Sequence, residues 1–227
     1  MPDPEEEDFT MLVGRRMTHP VITINPETSM EEALNLMQRE HIRRIPVVNK
    51  HGALVGIITE MQLLKASPSD ATTLSKFEMS DLMNKVKIES LMTKNVITVN
   101  EDTLIEEAAR IMVDKKIGGL PVVQGEKVVG IITETDLFKV FMEAMGARKP
   151  GIQVSTVVSD EPGKIAELSK AIFDAGGNIV SLGTFMGPDS ESAEVTLKVD
   201  GVSEVMLLKA IEPFVERVLE MRQTHLV

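Results

Sequence analysis

The sequence predicts a mixed α/β protein of the α+β kind. Two copies of one β-α-β-β-α unit, packed as a pseudo-twofold pair, precede a single β-α-β-β-α-β unit. Three observations carry this. Residues 17–37, MTHPVITINPETSMEEALNLM, return as residues 92–112, MTKNVITVNEDTLIEEAARIM, an offset of 92 − 17 = 75. Internal duplication of this length marks a repeated supersecondary unit. Both copies continue into IPVV (Ile45 to Val48) or LPVV (Leu120 to Val123), then into GIITE at Gly56 and Gly130. There the offset is 130 − 56 = 74, so the second copy is one residue shorter in its hairpin turn. After Phe141 the repeat stops and a differently patterned segment begins.

Within a copy the elements follow from local chemistry. Val21-Ile22-Thr23-Ile24 is a short β-branched run and reads as a strand. Asn25-Pro26-Glu27-Thr28 carries turn and N-cap chemistry. Met30, Ala33, Leu34 and Met37 recur at helical spacing, with Glu31 and Glu32 in the first turn, where the helix dipole favours anions. Ile45 to Val48 and Leu54 to Ile58 make two strands around the turn Lys50-His51-Gly52. Thr59 caps a closing helix over Glu60 to Lys65. A unit of about 55 residues buries little apolar surface alone, which is why the copies are expected to pack on each other. Between them, Ser67 to Thr73 reads as loop and Met79 to Val86 as a turn or two of helix. The expected divisions are a disordered acidic start over 1–10, a first repeat over 11–75, a second with its linker helix over 76–145, a hinge over 146–151 and a last unit over 152–227.

The last unit opens with a strand over Ile152 to Val158 and a turn at Asp160-Glu161-Pro162-Gly163. A helix follows with apolar positions Ile165, Leu168, Ile172 and Phe173, closed by Ala175-Gly176-Gly177-Asn178. Strands over Ile179 to Met186 and Ala193 to Val199, a helix over Ser203 to Ile211 and a strand from Phe214 to Met221 complete a ferredoxin-like order.

Composition bounds the function. Of 227 residues, 43% are hydrophobic and 26% charged, the balance of a soluble globular chain. The net charge of −11 argues against general nucleic-acid binding. No cysteine is present, so disulfides and catalytic thiols are absent. The start, Met1-Pro2-Asp3-Pro4-Glu5-Glu6-Glu7-Asp8, is acidic where a signal peptide is basic, and no apolar run reaches a membrane span. A cytoplasmic protein is expected. With no Trp or Tyr, a bound base would sit between aliphatic side chains and backbone.

The repeated unit resembles a CBS domain, and the tandem resembles a CBS pair, or Bateman module. MT-x-x-VIT-[IV], the [IL]PVV strand and Gly130-Ile131-Ile132-Thr133-Glu134-Thr135-Asp136 carry the likeness. The C-terminal unit resembles an ACT domain through Asp160-x-Pro162-Gly163-x-Ile165-Ala166-x-Leu168 and Gly177-Asn178-Ile179. The order CBS-CBS-ACT is similar to the acetoin-utilization regulatory proteins.

A strand ending in Thr133, then a helix, aims backbone N–H groups and a hydroxyl at one point, an anion site of the helix-terminus kind. The CBS resemblance implies ribose on Asp136 and phosphate at Thr133. It places adenine against Val96, Ile97 and Thr98 and against Gly118, Gly119 and Leu120. The implied regulatory ligand is AMP, ADP, ATP or S-adenosylmethionine. The first copy departs: Thr59 is retained, but Gln62 stands where the second has Asp136, and Arg43-Arg44 replace the two glycines. Three arrangements remain open: one nucleotide with its phosphate on an Arg from the first copy, two unequal sites, or arginines on a solvated face. The bland alternative for Thr133 and Asp136 is an N-cap with a first-turn acid. The ACT resemblance implies an amino-acid site near Asp160, Pro162, Gly163, Asn178 and Ile179, and a homodimer. Those residues also have structural roles in turns and helix ends.

Catalysis finds little support. His19 and His51 lie in expected turns, His41 ends a helix, His225 is in the tail, and none falls in a metal-binding spacing. The expectation is a regulatory sensor and no enzyme, without metal, nucleic acid or membrane, with a protein target not identified. A non-catalytic interaction scaffold with vestigial sites is the alternative. An enzyme of acetoin or amino-acid metabolism and a DNA-binding regulator are weaker rivals.

Overall fold

A computed structural model describes residues 11–67 and 75–224 of the chain. The acidic start, Thr72 and Thr73 of the expected loop and His225 lie outside the described residues. Two compact units divide the chain, one ending at Leu137 and the other beginning at Phe138.

The first unit opens with α1 (Val13–Arg16) and α2 (Met30–Arg39). Helix α2 starts where Ser29 and Glu32 close a capping box: the Glu32 N–H donates to Ser29 Oγ at 3.2 Å, and the Ser29 N–H donates to Glu32 Oε2 at 3.0 Å. Met30, Ala33 and Met37 are buried and Leu34 is half-buried, as the helical spacing predicts. Strands β1 (Arg44–Val48) and β2 (Leu54–Thr59) form an antiparallel hairpin with Ile45 opposite Ile58, and Gly52 turns it at φ 80°. Helix α3 (Glu60–Ala66) closes the copy. After α4 (Lys76–Lys85) and α5 (Ile88–Leu91), the second copy repeats the pattern with α6 (Ile105–Lys115), β3 (Gly119–Gln124), β4 (Lys127–Thr133) and α7 (Glu134–Ala144).

The strand expected over 21–24, and its counterpart over 96–99, shrink to single parallel bridges, Ile24 to Val47 and Val99 to Val122. Ile24 N–H reaches Pro46 O at 3.2 Å and Val48 N–H reaches Ile24 O at 2.8 Å. The next rung needs an N–H from residue 46, which is proline, and from Pro121 in the second copy. Proline has none, so the ladder stops.

Each copy's leading segment packs on the other copy. Thr18 and Ile131 exchange backbone hydrogen bonds at 2.9 and 3.1 Å, while Thr93 and Ile57 exchange theirs at 2.9 and 2.9 Å. Val13 N–H donates to Thr103 O at 2.8 Å, and Ile88 N–H donates to Thr28 O at 3.0 Å. Val13 and Ile88 are both fully buried. Two glycines make the exchange possible: a Cβ on Gly130 would collide with Met17, and one on Gly56 with Met92. Helix α4, grouped with the second repeat by chain order, packs on α2 instead. Ser80 Oγ donates to Glu31 Oε1 at 2.6 Å, Ser29 Oγ to Asn84 Oδ1 at 3.1 Å, and Asn84 Nδ2 to Glu31. It is longer than expected because Ser75 and Glu78 form a further capping box.

The second unit holds β5 (Gly151–Ser159), α8 (Lys164–Asp174), β6 (Asn178–Met186), β7 (Ser192–Asp200), α9 (Glu204–Ile211) and β8 (Arg217–Thr224). Its sheet order is β6-β7-β5-β8 with every pair antiparallel, the β-α-β-β-α-β arrangement predicted. Leu168 and Ile172 of α8 and Leu207 and Ile211 of α9 bury against Val154, Leu197 and Val199. Phe173 stays 74% exposed, because the residue next to Ile172 on a helix turns about 100° away from the buried stripe. The segment expected as a hinge is tied down: buried Lys198 donates to Gly146 O at 2.8 Å and Lys149 O at 3.1 Å, and Ser181 Oγ donates to Met145 O at 3.1 Å.

Replacing Gly130 by Val forces the leading segment off β4, and urea unfolding should show a loss of about 1–3 kcal/mol. The backbone N–H and the hydroxyl of Ser29 hold the Glu32 carboxyl below its ordinary range. A depressed carboxyl pKa stabilises the fold above the ordinary Glu range, and this is lost as pH falls through the depressed value. The destabilisation caused by Glu32→Ala should therefore be present at about pH 7 and fade at about pH 3 in urea titrations.

Candidate functional site

A cavity of about 270 Å³ lies between the copies of the first unit. Arg44, Ile57 and Thr59 line it from the first copy, and Thr93, Asn95, Val96, Ile97, Lys116, Ile117, Gly118 and Gly119 from the second. The exchange of leading segments brings these together: Thr93 pairs with Ile57, which fixes the start of the second leading segment on β2.

Of the residues expected at the site, Arg44, Thr59, Val96, Ile97, Gly118 and Gly119 line this cavity. Thr98 is half-buried outside the lining, and Leu120 is fully buried in the core. Arg43 is exposed; its carbonyl accepts the Glu60 N–H at 2.9 Å. Thr133 and Asp136 also lie outside the lining. Asp136, 4% exposed, accepts from the Thr133 N–H at 3.0 Å and from the Thr133 hydroxyl at 2.7 Å. Its carboxylate thus takes a capping position at the start of α7.

Arg44 fills the room that the glycines leave. Its guanidinium donates to the Gly118 carbonyl. A Cβ at Gly118 would stand 2.5 Å from Arg44 Nη2 and from Glu134 Oε2, and one at Gly119 would stand 2.7 Å from Arg44 Nη1. Burial pushes the Arg44 pKa down; Glu134 opposes this, neighbouring Arg43 adds to it, and Asp136 opposes it. Of the three open arrangements, an arginine pair on a solvated face fails for Arg44 and describes Arg43.

In the first copy, Gln62 reproduces the cap and adds a tie. Gln62 Oε1 accepts from the Thr59 N–H at 2.9 Å and hydroxyl at 2.8 Å, while Nε2 donates to Leu91 O at 3.3 Å and Thr93 Oγ1 at 3.1 Å. A carboxylate, which only accepts, could not bond the Leu91 carbonyl, and toward Thr93 it could only accept from the hydroxyl.

Sequence reasoning did not place Ile57, Thr93, Asn95, Lys116 or Ile117 at the site. Lys116 had one usable signal, its place two residues before Gly118. It adopts φ 54°, as does His41 at the matching place in the first copy. Among the described residues no cluster of His, Asp or Glu is fit to hold a metal, and no helix is long and apolar enough to cross a membrane.

In the second unit, the residues expected to hold an amino acid are not brought together within one chain. The Asp160–Gly163 turn follows Ser159, which pairs with Ser192 at the start of β7; Asn178 pairs with Asp200 at its end. The length of β7 therefore separates them, roughly 25 Å at strand rise. Pro162, Gly163 and Asn178 are exposed, and Ile179 is half-buried.

The CBS domain family matches residues 13–69 and 88–143. A CBS domain-containing protein of Dictyostelium discoideum is 30% identical over 136 residues, covering 60% of this chain and 94% of that protein. The chain belongs to the CBS domain family. The L-aspartate semialdehyde sulfurtransferase of Methanocaldococcus jannaschii is 36% identical over 131 residues, 57% of this chain but only 23% of that longer protein. A CBS pair similar to this one therefore also occurs within an enzyme. Among solved structures, a candidate acetoin utilization protein (AcuB) from Vibrio cholerae is 28% identical with a TM-score of 0.51, covering 63% of this chain and all (100%) of that one. The CBS pair of protein MJ0100, crystallised with 5′-methylthioadenosine and S-adenosyl-L-methionine, is 35% identical with a TM-score of 0.49, covering 61% of this chain and 98% of that one.

Gln62→Ala should cost about 1–2 kcal/mol of stability by urea unfolding, since it removes a cap and the tie to Thr93. Gln62→Asp, which keeps the cap alone, should recover only part of that.

Proposed function

We propose that this chain is a regulatory small-molecule sensor that takes an adenine nucleotide or adenosyl compound in its CBS pair. The supporting observation is the cavity between the copies, lined by the aliphatic Val96, Ile97 and Ile57 and by the backbone of Gly118 and Gly119. Its volume of about 270 Å³ lies just below the ~300–1,000 Å³ range of ligand pockets, which suits a nucleoside-sized molecule better than a dinucleotide. A base there packs on aliphatic side chains and meets backbone groups, in a pocket lined by no Tyr or Trp. Asp136, at the start of α7, is the ribose acceptor in this reading, and Thr133 and Arg44 serve the phosphate. Ligand binding is transmitted in this reading through dimer packing, a coupling that would be worth ~1–3 kcal/mol. The protein acts in the cytoplasm, and no catalytic step is assigned to it.

The second unit we read as an ACT-like dimerisation module. Edge strand β6 exposes Leu182, Phe185 and Met186. Antiparallel pairing of β6 with a second copy would cover that edge. It would also set Asn178 and Ile179 of one copy beside the Asp160–Gly163 end of the other, making an amino-acid site from two chains.

Thermal unfolding against AMP, ADP, ATP, S-adenosylmethionine and the common amino acids tests the reading. A ligand at ~100 times its Kd should raise the midpoint by roughly 5–10 °C. Asp136→Asn, which keeps an acceptor for Thr133, should reduce the nucleotide shift. If ligand-free protein shifts with no adenosine compound, the interaction scaffold is the better account.

A further inference from the structure

The charges around the cavity discriminate among adenosine compounds. Resting on the sensor reading, we propose that Lys116, with Arg44, makes this cavity select phosphorylated, anionic adenosine ligands over neutral or cationic ones, and that Lys116 is the principal discriminating group.

The lining contains two cations, Arg44 and Lys116, and no carboxylate, in a chain whose net charge is −11. The two cations are not equivalent. Arg44 is half-buried, bonded to the Gly118 carbonyl and flanked by the carboxylates of Glu134 and Asp136, so its charge is partly balanced from behind. Lys116 is exposed at the mouth, and among the described residues no carboxylate pairs with it. Its backbone is left-handed, φ 54°, at the C-cap of α6. That conformation costs a non-glycine residue free energy, and an Asn or Gly would hold it more cheaply. A lysine there adds nothing to the left-handed turn that Asn or Gly would not, while the residue lines the cavity. A phosphate entering beside Arg44 meets Lys116 without first breaking an ion pair. A sulfonium, as in S-adenosylmethionine, meets the same positive field and is repelled.

Isothermal titration calorimetry on the whole chain tests this with AMP, adenosine and S-adenosylmethionine. In the wild type, AMP should bind at least about tenfold more tightly than adenosine, and S-adenosylmethionine more weakly than AMP, with the AMP preference shrinking as salt rises. Lys116→Asn, which suits the left-handed backbone, should weaken AMP about tenfold and leave adenosine within about twofold. Lys116→Arg should retain the preference. Equal binding of all three ligands by the wild type, or equal weakening of all three by Lys116→Asn, would overturn the proposal while leaving the sensor intact. Failure of every adenosine compound to bind would instead remove the sensor reading, and this one with it.

Discussion

The backbone bonds between Thr18 and Ile131, and their counterparts between Thr93 and Ile57, position everything else in the first unit. A single copy is too small to bury a core of its own. The exchange solves this by sending Val13 toward the second copy and Ile88 into the first, so that neither copy is complete without the other's leading segment. Gly56 and Gly130 are the positions on which it turns, since each lies under a methionine of the incoming segment. The cavity is a by-product of the same geometry: Thr93 is bonded to Ile57, and residues from both segments line it.

Duplication supplies the frame, and departures from it supply the chemistry. Gly118-Gly119 in one copy answer Arg43-Arg44 in the other, and Arg44 reaches across to lie on the two glycines. Asp136 answers Gln62; both close a helix cap, but only the amide can also donate, and it uses that capacity to hold the second leading segment. One site is thereby built for a charge and the other for cohesion. A strictly symmetric pair would carry either arginines or glycines at this place in both copies.

The second unit places its polar groups by different means. Lys198, buried in the sheet, satisfies its ammonium with the carbonyls of Gly146 and Lys149, and Ser181 takes that of Met145. These carbonyls lie at and beyond the end of α7, where a helix presents negative partial charge and a cation is favourable. The composition of Gly146 to Gly151 reads as a hinge; the bonds from β6 and β7 make it a fixed corner.

The sequence by itself determined the duplication, the hairpins, the helix faces through Met30, Ala33 and Met37, the Thr59 cap and the β-α-β-β-α-β order of the last unit. Each of these depends on residues within a few positions of one another, where periodicity and capping act. It also held enough to shorten the strands over 21–24 and 96–99, because Pro46 and Pro121 lack the N–H for a second rung; what was missing was the knowledge that they are the partners. Tertiary structure alone decided the exchange of leading segments, the seat of Arg44, the presence of Lys116 at the cavity and the separation of Asp160 from Asn178 by the length of β7. Those depend on which of several apolar or hydrogen-bonding partners, far away along the chain as Thr93 is from Ile57 and Thr18 from Ile131, a segment meets when the core closes. Local propensity carries no record of that choice; burial of the whole unit makes it.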